Sequence, residues 1–381
     1  MKLSVQRYLV THGLEKTIED FALEYRDYGH KILLKYNQID SNFNHEEVCD
    51  CRGLVLEKGT WKIMSMSFRK FFNLGETKAA PINLAEASIF DKLDGSMIHV
   101  YWDWVIEKWC IGTTGTAEAE GPINTLPDKT FRDLFLMSIP NQNQFYGSLE
   151  KGNTYVFELC TPYNIVVTPW TKNNITLLAM RNLETLEEYR RDQLDIHAHY
   201  LYVNLVKKFD FQNVTEEILR NTFELMPFSE EGYIAVDSIF NRVKIKNPKY
   251  VAVHFMKSET AYYRVLTIIK SGEIDEFIAT FPDRTEEIEQ LKAGYLSLLN
   301  VLNFIWEKLK DLPLTNKEDV KHFALTNIGL CNDLAVAPYK SIMFSLSKDT
   351  EHKHTIKSLL DNFDEKDLYN FIKNNYELYN R

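Results

Sequence analysis

No apolar run in this 381-residue chain approaches the ~20 residues needed to cross a bilayer, and the opening MKLSVQRYLVTHGLEKTIED lacks the sustained apolar stretch of a signal peptide. A cytoplasmic protein without a membrane partner is the expectation. Cysteine is scarce and odd in number: Cys49, Cys51, Cys110, Cys160 and Cys331 form no two CxxC pairs and no Cys/His cluster at zinc-finger spacing. That argues against a disulfide framework or structural zinc and fits reduced thiols. Positive charge is not in excess either. With 44 Lys and Arg against 54 Asp and Glu, the net charge of −10 is wrong for a protein that coats nucleic acid non-specifically, but it leaves room for a local basic site. Arg190-Arg191 and Lys207-Lys208 read as solvated surface charge; the group Lys244, Lys246 and Lys249 stands apart.

What is present is ample material for a core, 45% hydrophobic and 13% aromatic, in a chain long enough for two folding units. From about Cys51 to Val253, short strand-like runs recur between turn residues: RGLVLE, SMIHVYW, TYVFELC, NIVVTPW, ITLLAM, GYIAVDS and RVKIKN. They predict a mostly antiparallel sheet structure with helices around it. From about Lys257 the spacing becomes helical, and Ile288, Leu291, Tyr295, Leu298, Leu302, Ile305 and Leu309 keep to one face. Asp283 with Glu286, and Thr315 with Glu318, have the spacing of capping boxes. No repeat or low-complexity linker marks the boundary.

Lys92-Leu93-Asp94-Gly95 lies between the strand-like runs SIFD and SMIHVYW. A lysine amine attacks only when neutral, so such a nucleophile needs neighbouring cations or a metal ion. Lys244-Ile245-Lys246 supplies two ammonium groups on one face of a strand, where they repel unless an anion such as a triphosphate sits between them. Glu158 and Glu231 fall within apolar strand runs, where a carboxylate is costly unless paired or near a metal. Each signal alone has a plain reading: a hairpin turn, an exposed sheet face, a structural ion pair. Their order along one chain is what carries weight, with Arg52-Gly53 and Lys70-Phe71-Phe72-Asn73 upstream.

Together these pieces resemble the covalent nucleotidyltransferase superfamily, and within it the T-even phage RNA ligase 1 family, from about Tyr36 to His254. The segments that carry the resemblance are KYN (35–37), CRGLVLE (51–57), RKFFNL (69–74), KLDGS (92–96), FELCTPYNIVV (157–167), LLAMRN (177–182), EGYIAV (231–236) and VKIKN (243–247). The resemblance implies an α+β fold, with an antiparallel-sheet nucleotidyltransferase domain of ATP-grasp-like ligase type over residues 1–257. An all-helical C-terminal domain, with a role in RNA specificity, would follow over residues 258–381.

It also implies roles. Lys92 would be adenylylated by ATP, with Asp94 and Gly95 completing its motif and Lys244 and Lys246 at the α-phosphate. Arg52 and Lys70 would contact phosphates, and Tyr36 and Phe72 would lie nearby. Glu158 and Glu231 would serve the nucleotide and magnesium or manganese, with Asp275 as a further metal ligand. One departure is Thr113-Thr114-Gly115-Thr116, where Thr114 stands in place of a family lysine. The implied reaction joins 5′-phosphate and 3′-hydroxyl RNA ends through lysyl-AMP and an RNA-adenylate, in repair of RNA such as cleaved tRNA. A monomer is expected, with a kinase/phosphatase preparing the ends upstream. Three other readings share parts of the pattern: a DNA ligase, a GTP-using capping enzyme, and an inactive RNA-end-binding protein. The first two usually place a small β-barrel after the last motif, which the helical spacing after Lys257 does not match.

Overall fold

A computed structural model describes residues 2–256, 264–271, 274–275, 278, 285–349 and 354–379. Contacts divide the chain into two compact units, Met1–Lys257 and Ser258–Arg381. The first mixes helix and sheet; the described parts of the second are helical.

The first unit opens with a helix, Ser4–Phe21, that buries Val5, Leu9 and Phe21. They pack in a cluster with Ile32, Leu34, Leu54 and Leu56 from a four-stranded antiparallel sheet, Leu23–Asp27, Lys31–Tyr36, Arg52–Glu57 and Ile63–Ser65. Sheet structure therefore begins before Cys51. Lys31, fully buried, reaches Asp103 at 2.9 Å and Glu118 at 3.3 Å, and so ties this sheet to the next.

Two five-stranded sheets follow. One has the order Asn204–Leu205, Asn174–Asn182, Asn153–Cys160, Ser96–Asp103, Lys108–Thr113; the other Lys208–Phe209, Ser88–Asp91, Gly232–Val236, Arg242–Lys246, Phe72–Asn73. Pairing is antiparallel except at the ends, where Asn204–Leu205 and Phe72–Asn73 join in parallel. Period-two alternation sorts the side chains. Tyr155, Phe157 and Leu159 enter a core covered by the helices Phe131–Ser138, Gln142–Gly147 and Arg191–Leu201, so Glu158 faces the other way. Tyr233, Ala235, Val243 and Ile245 enter a second core with Leu219 and Phe223 of the helix Glu216–Leu225. Burial of each such apolar side chain contributes about 1.5–3 kcal/mol, which holds Ile234, Arg242, Lys244 and Lys246 on the opposite, open face.

One expected strand is absent. NIVVTPW at 164–170 is a loop, because the Val167 and Thr168 N–H groups donate to the Asp94 carboxylate rather than to a ladder, and Pro169 has no N–H to give.

In the second unit the helix Thr285–Leu309 buries Ile288, Leu291, Tyr295, Leu298, Leu302, Ile305 and Leu309, the face its spacing predicts. Asp283 of the first capping box lies outside the described residues. The second box is shifted by one: Asn316 caps the helix Lys317–Asp333, accepting from the Glu318 and Asp319 N–H groups, while the Thr315 hydroxyl donates to Asp319. Asn is as good a cap as Thr, and it is the residue beside the first helical turn.

Candidate active site

A cleft of about 670 Å³ is lined from both five-stranded sheets, a volume typical of small-molecule sites. Lys92 lies in its wall, just past the end of the strand Ser88–Asp91. Its backbone N–H donates to the Gly232 carbonyl at 3.0 Å, and its Nζ lies 2.6 Å from Glu231 Oε1. Lys246 Nζ reaches the same oxygen at 3.4 Å. Register explains the meeting: Asp91 pairs with Tyr233 and Gly232 with Lys246, so the three groups leave neighbouring strands at one end of the sheet. Glu231, only 7% exposed, thus bridges two ammonium groups.

Two glycines make this approach feasible. At Gly232 (φ +130°) a Cβ would lie 2.3 Å from the Ile245 carbonyl oxygen, and at Gly95 one would lie 2.5 Å from that of Leu159. The second close approach sets the Lys92 loop against the strand that carries Glu158.

Arg242, Lys244 and Lys246 form a row on the cleft face of one strand. Arg242 is held by Glu188, which also receives Arg181. Lys244 lies 5.5 Å from the Phe71 ring centre, and the Arg52 guanidinium lies 5.1 Å from it. Arg52 Nη1 is buried without a hydrogen-bond partner, a costly arrangement unless an anion completes it.

Glu158 projects into the same cleft. Burial pushes its carboxyl from the ordinary 4.5 to about 8, with Lys92 opposing the shift and Glu231 adding to it. The folded chain therefore holds this proton more tightly than the unfolded chain, and stability falls as pH rises from about 4.5 to about 8. A Glu158→Gln variant carries no such charge. Its Tm, measured without nucleotide or metal, is expected to gain on the wild type by several degrees between pH 5 and pH 8.5, at about 2–4 °C per kcal/mol for a unit of this size. Parallel Tm curves would show that Glu158 is an ordinary ionised carboxylate.

Tyr36, Lys70 and Phe72 are absent from the cleft wall; the Lys70 ammonium sits among Tyr36, Phe43 and Phe72, at 5.1, 4.9 and 5.5 Å from their ring centres, and donates to Gln38. Phe71 lines the cleft instead. The Asp94 carboxylate is occupied by the Val167 and Thr168 N–H groups and the Tyr250 hydroxyl. Asp275, in the second unit, is exposed and lies 3.9 Å from Lys292. Lys249 leaves its group to donate to the Glu224 and Met226 carbonyls at the end of the helix Glu216–Leu225. Arg191 is not plain surface charge: it lines the cleft, donates to the Val206 carbonyl, and stands 5.9 Å from the Phe90 ring centre. Thr113 to Thr116 make a tight turn in the cleft wall, with the Thr113 hydroxyl accepting from the Gly115 and Thr116 N–H groups.

Among the described residues no helix is long and apolar enough to cross a membrane, and no three His, Cys, Asp or Glu side chains are gathered to hold a metal.

Several known proteins are similar to this chain. An RNA ligase from Rhodothermus phage RM378 is 27% identical over 336 residues, covering 72% of this chain and 75% of the relative. A protein of Autographa californica nuclear polyhedrosis virus, whose name joins a polynucleotide kinase to an RNA ligase, is 28% identical over 302 residues, 74% of this chain but only 42% of that longer one. Among solved structures, an archaeal ATP-dependent RNA ligase aligns at 12% identity with a TM-score of 0.47, over 86% of this chain and 90% of that one. The family model described as RNA ligase matches residues 50–250, just over half the chain and all of the cleft-lining strands, so the protein belongs to the RNA ligase family of the T4 type.

Proposed function

We propose that the cleft binds ATP and stores AMP on Lys92 before RNA sealing. The observation that carries this is Lys92 Nζ, 2.6 Å from Glu231, in a cleft also lined by Arg52, Lys244 and Lys246. The Lys92 amine attacks the α-phosphorus of ATP; a nitrogen–phosphorus bond forms, the bond to pyrophosphate breaks, and the amine proton has an acceptor in Glu231. Lys244 and Lys246 offset the charge that develops on the phosphate oxygens. AMP then passes to the 5′-phosphate of an RNA strand. A 3′-hydroxyl attacks that activated phosphate and expels AMP.

Glu158 and Glu231 suit magnesium, with manganese as an alternative, because both are hard oxygen donors facing one cleft. Magnesium is usually held by one or two carboxylates plus substrate phosphates, so a ready-made cage is not required. When bound, it would draw negative charge from the triphosphate.

The two five-stranded sheets that line one cleft support an ATP-grasp-like nucleotidyltransferase fold for residues 1–257, with the helical unit choosing the RNA. Cleaved tRNA, action as a monomer in a host cytoplasm, and end preparation by a separate kinase/phosphatase complete the reading. The polynucleotide kinase named beside the RNA ligase in the longer Autographa californica virus relative supports a coupling of kinase action to sealing, there within one protein. Incubation with ATP and magnesium should add the mass of one AMP, mapped to the peptide containing Lys92, whereas GTP should add nothing. An adduct from GTP alone would favour a capping-type enzyme, and no adduct from either nucleotide an inactive end-binding protein.

A further inference from the structure

The loop at residues 161–173 leaves the strand that carries Glu158 and binds back onto the Lys92 loop. Its Val167 and Thr168 N–H groups donate to the Asp94 carboxylate at 2.8 and 2.6 Å, and the Trp170 indole donates to the Asp94 carbonyl at 2.6 Å. The Asn164 amide donates to the hydroxyl of Ser96, itself part of the cleft wall, and the Thr125 hydroxyl donates to the Tyr163 carbonyl. These bonds set the loop at the rim of the cleft and immobilise its backbone. Two apolar residues of the loop remain partly open to solvent: Tyr163 is 37% exposed and Ile165 44%.

An aromatic ring carried on a fixed backbone has little entropy left to lose on stacking, which makes it a good platform for an unpaired base. The geometry points to Tyr163 as the residue on which the terminal base of an RNA strand stacks. This rests on the reading of Lys92 as the nucleophile of RNA sealing, because only then must an RNA end come to this rim. It also gives the Asp94 contacts a purpose: they register the base platform to the reactive lysine.

Two measurements test the assignment: affinity for a short 5′-phosphorylated single-stranded RNA, and covalent AMP formation. Tyr163→Ala is expected to weaken RNA binding between about 5-fold and about 150-fold, the effect of losing one base–aromatic stack of ~1–3 kcal/mol. The KM for RNA in sealing should rise to a similar extent. Tyr163→Phe, which keeps the ring, should match the wild type, and both variants should form AMP adduct at the wild-type rate. Unchanged RNA affinity in Tyr163→Ala, or loss in Tyr163→Phe equal to that in Tyr163→Ala, would overturn the proposal. Because affinity is read directly, a wild type that forms no adduct would refute the Lys92 reading while the RNA titration still decides on Tyr163.

Discussion

Lys92→Ala is expected to abolish covalent AMP formation while leaving the fold intact. No other amine can replace it by a small movement without giving up its own role: Lys246 is the second partner of Glu231, and Lys244 stands against Phe71. The fold should survive because the substitution does not orphan a buried carboxylate. Breaking a buried ion pair typically costs about 3–5 kcal/mol when the remaining charge has no partner; here Lys246, at 3.4 Å, stays beside Glu231. The check is intact-protein mass after incubation with ATP and magnesium, with a thermal melt alongside. Any AMP adduct on the folded variant would refute the assignment. RNA that is already adenylylated bypasses the first two steps, and sealing of it should recover only in part, because the freed Lys92 ammonium would also have stabilised the departing AMP.

How much of this was legible beforehand depends on the range of the interactions concerned. The shared face of Lys244 and Lys246 follows from the strand period alone, since the apolar Val243 and Ile245 between them face the opposite core. The same period places Glu158 opposite Phe157 and Leu159. The helix Thr285–Leu309 was equally readable, because its buried residues repeat within one sequence window. Long-range contacts were not readable in this way. Val167 donates to a carboxylate 73 residues earlier in the chain, and that contact turned an apolar run with strand character into a loop.

The aromatic pair shows a finer limit. Phe71 and Phe72 are adjacent, so one must face each way in an extended segment, and the motif alone does not say which. The structure turns Phe71 toward Arg52 and Lys244, and Phe72 toward Phe43 and Lys70. Phe43 carried no signal of its own; it becomes significant only as the ring in edge contact with both Tyr36 and Phe72. Arg191 was misread because a doubled arginine is normally solvated, whereas the first turn of its helix brings one of the two into the cleft.

Lys246→Ala should slow AMP transfer to Lys92 by about 10²–10³, the usual loss when one fixed donor to a developing oxyanion is removed. Two physical effects add in the same direction. The α-phosphate loses a cation of the strand row, and Glu231 loses one of the two ammonium groups that fix its carboxylate beside the nucleophile. Lys244→Ala removes charge without touching the Glu231 bridge, so its rate loss should be the smaller of the two. Single-turnover adduct formation at saturating ATP measures both. Rates within about 3-fold of wild type in both variants, a difference below 1 kcal/mol, would reduce the row to ordinary surface charge and leave Lys92 without its electrostatic support.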